Sequence, residues 1–481
     1  MNWEDNGSLI KSSKSARPQN IQHWFKEGVT WSHTSSSSFS ARILENFFTF
    51  NVEGPTYFSN EENTNEILGL LNSKISFYFM QLMNPTLHFL VGNIINIPLS
   101  PKRLDKEKID AVSRLIQLSK SDWDYFEQSW DFKRSSLLLA ENKKSSLSKT
   151  YNEARLSWKK MTDEVQILEQ ENNSFLLDAY NLNDEMTSEV TLKEITLTSN
   201  PYYRYSGEAT EELLEQRLQS DTIAELISYA IGCMMGRYSL DREGLVYAHE
   251  GNVGFDELVV EGAYKTFPAD DDGILPLLDE ERFPDDVYSC FEQFIETAWD
   301  KETLQQNLDF IAESLRLYNI KPKNGESSAE TIRRYLSNHF YKDHHLSNTK
   351  GYKNRPIYWL FSSGKQKAFE CLVYMHRFND TTLAKMRTQY VLPLMGQLTA
   401  RAQFLSDADK DTSLSPSEKT KYAKEADNLH KKLNELKDFD AELKHHIEQK
   451  ISIDLDDGVK VNYGKFAKLL AEAKKVTGNK E

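Results

Sequence analysis

Apolar residues recur every three to four positions along most of this sequence, which is the period of an amphipathic helix. Residues 66–83 illustrate the pattern, because Ile67, Leu70, Leu71 and Ile75 share one face and the run stops at Asn84-Pro85. The same period predicts helices over residues 66–83, 100–118, 158–173, 210–235, 285–317 and 328–341, and from residue 383 onward. Helices therefore dominate the predicted structure.

Five short runs favour strands instead, because they are rich in β-branched and aromatic residues or lie between turn formers. They are residues 29–32, 47–50, 93–98, 192–198 and 357–361. Near the end of the chain, Leu429, Leu433, Leu436, Leu443 and Ile447 share a helix face, which predicts an antiparallel helical hairpin with its turn at residues 413–416. The predicted fold class is α+β, with a mixed α/β module followed by mainly helical domains that end in this hairpin.

At 481 residues the chain is too long for one compact core. Shifts in pattern and charge divide it into five segments. They are a mixed α/β module at residues 1–105, a helical connector at 106–190, an acidic α/β segment at 191–320, a basic α/β segment at 321–395, and the hairpin and tail at 396–481.

Three cysteines, Cys233, Cys290 and Cys371, lie far apart, so neither a disulfide framework nor a cysteine metal site is indicated. No apolar run approaches the length that crosses a bilayer, and the first residues lack the pattern of a signal peptide. We therefore expect a cytoplasmic protein with no membrane partner and no bound metal.

The formal net charge of −15 argues at first against a nucleic-acid partner. The charge is unevenly distributed, however. Residues 206–310 contain 25 acidic and 6 basic side chains, residues 311–400 contain 6 acidic and 14 basic ones, and residues 7–50 contain 2 acidic and 5 basic ones. Contact with DNA depends on the local potential and not on the total charge, so the two basic regions stay candidates.

Basic side chains in both of these regions are interleaved with aromatic and hydroxyl residues, a combination that suits phosphate contacts. The predicted DNA-binding residues are Lys11, Lys14, Arg17, Lys26, Trp31 and Arg42 in the first region, and Arg333, Arg334, Lys353 and Arg355 in the second. Each of them, taken alone, is more often ordinary solvated surface.

The string Asn200-Pro201-Tyr202-Tyr203 is close to the loop with which amino-methyltransferases hold a flipped adenine. Tyr202 replaces the second proline of that loop, and the sequence contains no glycine-rich turn of the kind that approaches a nucleotide cofactor. We therefore predict a turn whose tyrosines and Arg204 pack or contact a partner. No catalytic residue is assigned in this chain.

Two groups of histidines could suggest a metal site. His339, His344 and His345 lie close to Asp343, but adjacent histidines do not easily face one ion, and no cysteine is near. We predict a solvated helix end there, and a helix surface at the pair His445-His446.

Several strings resemble adenine-specific DNA methyltransferases of the PglX family, which belong to BREX defence systems. Residues 15–32, followed by a serine-rich loop and Phe39-Ser40-Ala41-Arg42, resemble the start of the target-recognition domain in that family. Residues 69–74 and 93–99 are similar to a helix and a closing strand of the same domain. Residues 200–205, 227–241, 355–363 and 369–390 resemble the C-terminal region of PglX.

This resemblance implies that residues 1–105 form a target-recognition domain that binds double-stranded DNA. It also implies a parent protein that methylates adenine with S-adenosylmethionine in bacterial defence against phage. The methyltransferase domain of the family is absent here, so we expect no cofactor in this chain and no activity of the chain by itself. Its expected partners are DNA, a catalytic methyltransferase domain or chain, and other BREX proteins. The chain is then a fragment, a split-gene product or a truncated member.

A second function stays open at this stage. The acidic segment and the helical hairpin suit a protein-interaction scaffold that docks other defence components, and the two functions can reside in different segments.

Overall fold

A computed structural model describes residues 3–14, 16–36, 38–59, 63–100, 102–205, 207, 209–248, 254–346, 354–409 and 415–478. The chain forms two compact units. Unit 1 contains residues 1–123 and 157–206, and unit 2 contains residues 124–156 and 207–481. The division into five segments expected from the sequence stays a prediction.

The helices of unit 1 are α1 (Glu4–Ser12), α2 (Thr64–Leu71), α3 (Lys74–Met83), α4 (Val91–Ile94), α5 (Lys106–Trp123) and α7 (Pro201–Arg204). Helix α6 (Leu147–Tyr180) contributes its first turns to unit 2 and the rest to unit 1. The helices of unit 2 are α8 (Glu211–Met234), α9 (Phe255–Val260), α10 (Val287–Trp299), α11 (Leu304–Leu317), α12 (Ser328–Tyr335), α13 (Thr382–Lys385), α14 (Leu392–Asp409), α15 (Pro416–Glu448), α16 (Gly458–Lys465) and α17 (Ala473–Thr477). Short π-helical turns occupy Leu336–Phe340, Lys342–Leu346 and Met386–Val391.

Unit 1 is built on a small antiparallel sheet in which β1 (Gly28–Trp31) lies between β2 (Ala41–Leu44) and β3 (Thr56–Tyr57). Val29 and Trp31 are buried because side chains alternate across a strand, and they pack with α2, α3 and α5 in one core. The predicted strand at 29–32 is thus confirmed.

The helix expected at residues 66–83 is interrupted at Asn72 and Ser73. The Asn72 side chain accepts a hydrogen bond from the Ala41 amide (2.7 Å) and donates one to the Ala41 carbonyl (3.0 Å), which ties this position to β2. Ser73 then caps α3 by accepting from the Ser76 amide. A long-range contact therefore divides a run whose apolar period is nearly continuous.

Unit 2 surrounds a second antiparallel sheet, in which β6 (Glu370–Tyr374) lies between β4 (Ile274–Pro276) and β5 (Tyr358–Ser362). All three strands are almost entirely buried. Helix α8 is also buried along most of its length, and Thr210 caps it as the sequence suggests, by accepting from the Leu213 amide. The predicted helix at 210–235 and the predicted strand at 357–361 are confirmed.

Two ion pairs confirm the C-terminal hairpin. The later position in the first helix pairs with the earlier position in the second, as antiparallel helices require. Arg401 of α14 pairs with Glu425 of α15, and Arg387 just before α14 pairs with Asp440 (2.7 Å in both cases). Residues 413 and 414 of the expected turn lie outside the described residues, but Ser415 closes a capping box with Glu418 at the start of α15.

Three predicted strands are wrong, namely those at 47–50, 93–98 and 192–198, where the chain forms turns, extended segments or the end of α4. The composition of a short apolar run favours a strand but does not show which segment it pairs with. A strand forms only where another segment lies alongside to share its hydrogen bonds. The protein is nevertheless α+β, with many helices and two small antiparallel sheets. Within the described residues, no helix combines the length and the apolar character needed to traverse a bilayer.

Candidate nucleic-acid interface

The outward face of the sheet in unit 1 carries polar and basic side chains. Thr30 lies between Arg42 on β2 and Thr56 on β3 in the strand register. Arg42 is exposed, and its Nη2 lies 3.4 Å from the Ser32 hydroxyl. A guanidinium beside hydroxyl groups can contact phosphate oxygens or base edges.

Trp31, by contrast, points into the core and is 3% exposed. Its indole Nε1 donates to the Phe89 carbonyl at 2.9 Å, and its ring lies 6.4 Å from that of Phe39. A buried ring with its donor engaged cannot stack on a base without unfolding the module, so the prediction that Trp31 contacts DNA is corrected. The alternation Val29-Thr30-Trp31 already contained this signal, because Trp31 shares its strand face with Val29.

An aromatic cluster joins two of the predicted basic positions. Trp3 packs edge-on against Trp24 (5.5 Å between ring centroids) and Phe25 (4.8 Å). The Nζ of Lys11 lies 5.3 Å from the Trp3 ring and donates to the Asn6 carbonyl at 2.7 Å, while Lys26 follows Phe25 directly in the chain. The cluster therefore packs α1, which contains Lys11, against the segment around Phe25 that leads to Lys26.

The five predicted cations of the first basic region share one property. Each is exposed, and none forms an ion pair with a carboxylate that the structure describes; they are Lys11, Lys14, Arg17, Lys26 and Arg42. Other basic residues of unit 1, such as Arg103 with Glu66 and Arg114 with Glu164, are paired at 2.8 and 2.6 Å. The charge of the five is therefore not neutralised by a described neighbour.

The second basic region differs, because its two central arginines are used inside the protein. Arg333 donates to the Asp286 carboxylate at 2.8 Å, and that carboxylate is 1% exposed. Arg334 forms two 2.6 Å hydrogen bonds with the Glu326 carboxylate. Both arginines are therefore less available to DNA than the five cations of the first region, and we leave them out of the proposed contact set. Arg355 is exposed, and Lys353 lies outside the described residues.

Asn200 is buried and caps the one-turn helix α7. Asn200 is 1% exposed, its Nδ2 donates to the carbonyls of Leu192 (2.7 Å) and Ile195 (2.9 Å), and its Oδ1 accepts from the Tyr202 amide (3.1 Å). These contacts engage both ends of the amide, so the side chain cannot receive an adenine amino group. The chain changes direction here as expected, but through the single helical turn of α7, and no strand precedes it.

The histidines near residue 340 are packed and not solvated, which corrects the prediction for two of them. His344 and His345 are buried, and His345 lies edge-on to Tyr358 at 5.3 Å. Burial lowers the pKa of His345 well below its usual value, which favours the neutral ring. His446 is likewise buried, whereas His445 is exposed. Among the described residues, no group of histidine, cysteine and acidic side chains is arranged to hold a metal ion.

The acidic segment contains a partly buried aspartate that organises a turn. Asp270 Oδ2 accepts from the amides of Asp272 (3.1 Å) and Gly273 (2.6 Å), and Gly273 has the positive φ of 74° that this turn requires. Burial, followed by the nearby Asp272 carboxylate, raises the pKa of Asp270 to about 7. The guanidinium of Arg377 opposes this shift and donates to the Asp270 carbonyl at 2.7 Å.

Fold and surface together define an α+β protein of two units, the first of which displays exposed cations that have no carboxylate partner among the described residues. No family model matches the chain. It is 47% identical over 482 residues to adenine-specific methyltransferase BrxX of Escherichia coli O9:H4 (strain HS), a match that includes the whole chain and 39% of the relative. It is 35% identical over 479 residues to adenine-specific methyltransferase PglX of Lacticaseibacillus casei (strain Zhang), which includes 97% of the chain and 37% of the relative.

The resemblance to the PglX-type adenine-specific methyltransferases is therefore confirmed, and the chain is homologous along its whole length to part of these proteins. It spans about two fifths of the relatives that it matches, which is consistent with a C-terminal part.

Proposed function

We propose that this chain supplies sequence-specific DNA recognition to an adenine-specific DNA methyltransferase of BREX phage defence. Residues 1–105 would form the target-recognition domain that contacts the duplex. The observation that carries the proposal is the set of five exposed cations, Lys11, Lys14, Arg17, Lys26 and Arg42, none of which has a described carboxylate partner, in a chain homologous to two adenine-specific methyltransferases.

The physical argument rests on counterion release. A lysine or arginine without an internal partner can neutralise a phosphate and release the cation condensed there, which supplies most sequence-independent affinity. An arginine already bonded to a buried carboxylate would first have to give up that pair, at a high cost in free energy. Arg333 is in that position and the five residues of unit 1 are not.

Arg42 is the leading candidate for base readout within this set. It is anchored on a paired strand, beside the Ser32 hydroxyl and opposite Thr30, so its direction is restricted more than that of a lysine in a loop. A guanidinium held in this way can bind O6 and N7 of a guanine in the major groove. The loop lysines then position the duplex through its phosphates.

Methyl transfer requires S-adenosylmethionine, and the residues of this chain do not fit that role. The sequence has no glycine-rich turn after a strand, and the Asn200 amide is engaged by its own loop. No step of the methylation reaction is therefore assigned to this chain. The cofactor would bind the part of the methyltransferase that the chain does not contain.

The test measures binding of the full chain to two duplexes, one with the methylation target of the parent enzyme and one scrambled, at several salt concentrations. The unmodified chain should prefer the target, and its affinity should fall steeply with salt. A variant with all five cations changed to alanine should bind both duplexes more weakly. If that variant matches the unmodified chain on both duplexes, the proposal fails.

A further inference from the structure

Exposed apolar side chains of unit 1 are concentrated in residues 82–99, from the end of α3 to the residues that follow α4. Seven of the 26 large apolar side chains exposed in the described structure fall within these 18 residues, each between 39% and 69% exposed. We define them as the 82–99 surface: Leu82, Met83, Leu87, Leu90, Val91, Ile95 and Leu99. Single exposed apolar residues are ordinary, but a group of this size in one segment is not.

The segment is anchored, so this exposure does not result from a detached loop. Phe89, Ile94 and Ile97 are buried between the exposed positions. The Phe89 amide donates to the His33 carbonyl at 2.7 Å, and the Tyr180 hydroxyl donates to the Pro98 carbonyl at 2.5 Å. The core thus holds the backbone, while the seven apolar side chains of the 82–99 surface stay exposed to solvent.

The sequence around this surface contains no formal charge. Residues 75–101 include no Asp, Glu, Lys or Arg, although charged residues make up 27% of the chain. Depletion of charge with enrichment of aliphatic side chains is typical of the core of a protein interface. A DNA-binding surface would need cations, and a helix lying on a membrane would carry them on its polar face. The chemistry therefore favours a protein partner with an apolar surface of its own.

A cavity beside Leu99 adds a receptor for one partner side chain. It has a volume of about 130 Å³ and is lined mainly by Leu70, Leu99, Leu104 and Leu176, with Glu66 and Arg103 among its polar groups. Buried anchors in such pockets carry much of the binding free energy of protein interfaces.

The rest of each relative is a candidate for this partner, because it belongs to the same polypeptide as the matched part. Each contains about three fifths of its length beyond the match with this chain. We propose that the 82–99 surface is the docking site for that remaining part of the adenine-specific methyltransferase, in the same polypeptide or as a separate chain. This inference rests on the homology and not on the proposed recognition of DNA by the basic residues.

The experiment co-expresses the tagged full chain with the part of E. coli BrxX that the chain does not match, and measures complex formation by size-exclusion chromatography with light scattering. A one-to-one complex is expected. Val91→Glu and Ile95→Glu should each weaken it at least tenfold, since each places a charge on the contact. Val260→Glu is the matched control, because Val260 is an exposed valine of unit 2, and it should leave the complex intact.

A second readout uses one polypeptide in which the BrxX part and this chain are joined. Radical footprinting should label Met83, Leu87 and Ile95 in the chain alone and protect them in the joined protein. The proposal is overturned if no complex forms, if the labelling does not change, or if the two glutamate variants bind like the unmodified chain. It is also overturned if they instead dissociate a dimer of this chain or release it from lipid vesicles. The variant with all five cations changed to alanine should still form the complex, so failure of this proposal is distinguishable from failure of the recognition proposal.

Discussion

Arg42 on β2 lies directly opposite Thr30 on β1, on the sheet face away from buried Val29 and Trp31. This strand pairing fixes the backbone position from which the flexible Arg42 side chain extends. The Nη2 of Arg42 lies 3.4 Å from the Ser32 hydroxyl. The outward face of the sheet therefore displays a positioned cation, whereas its inward face forms the core of unit 1.

Arg42→Ala should lower affinity for the target duplex by roughly 1–3 kcal/mol and relax preference at one base pair, if Arg42 reads a guanine. Arg42→Lys keeps the charge but loses the bidentate fork, so it should restore binding to scrambled DNA more than preference for the target. Competition binding against single-base variants of the target measures both effects. An equal loss on every duplex would assign Arg42 to phosphate contact alone.

Lys14→Ala and Lys26→Ala should each weaken binding to all duplexes alike and flatten the slope of log affinity against log salt by about one unit. Arg103→Ala is the control within unit 1, because Arg103 already pairs with Glu66 at 2.8 Å. Fluorescence anisotropy at four or more salt concentrations provides the slopes. Unchanged slopes for both lysine variants would exclude these residues from the contact surface.

Arg333→Ala should destabilise unit 2 by about 3–5 kcal/mol, because it leaves the Asp286 carboxylate buried without its cation. The salt dependence of DNA binding should stay the same. Urea denaturation measures the free energy of unfolding, with Arg355→Ala as an exposed control expected to change it by less than about 0.5 kcal/mol. Loss of DNA binding in a stable Arg333→Ala protein would return this residue to the contact set.

Asn200→Ala should cost about 1–3 kcal/mol of stability, because two buried backbone carbonyls lose their donor. Tyr203→Ala, on the exposed side of the same turn, should cost much less.

The chain by itself should transfer no methyl group from labelled S-adenosylmethionine to duplex DNA. Turnover that Asn200→Ala abolishes without unfolding would show that the structural role assigned to this loop is incomplete.

Asp270 should contribute stability at low pH that is lost as the pH rises from about 4 to about 7. Burial raises the pKa of Asp270 in the folded chain to about 7, well above its usual value, so the folded state keeps a proton that the unfolded state releases at lower pH. The stabilisation is therefore complete below the unfolded pKa and is lost as the pH passes the folded one. Asp270→Asn should reduce the difference in unfolding free energy between pH 5 and pH 8, and Asp380→Asn, an exposed control, should not. An identical pH profile for Asp270→Asn would contradict the raised pKa.

Local sequence signals predicted the long helices well and the short strands poorly. The period and the Thr210 cap located α8 within a residue or two, because helix hydrogen bonds connect near neighbours. Strand β6 was missed, although it is the central strand of its sheet. Its partner β4 is about 100 residues away in the sequence, and its other partner, β5, is the strand that precedes it. The uncharged run at 75–101 was visible in the sequence, but only the burial pattern separates its core residues from its exposed ones.

The sequence by itself determined the α+β class, the hairpin, the family resemblance and the regions of excess positive charge. These depend on composition, on the spacing of apolar residues along a helix, and on short stretches of similar sequence. Only the tertiary structure decided which cations are available. Arg333 pairs with a carboxylate 47 positions away, while Lys14 and Arg17 have no described partner. A side chain's partners are set by which distant segments the fold brings together. For that reason two basic regions of similar composition differ so clearly as candidate surfaces for DNA.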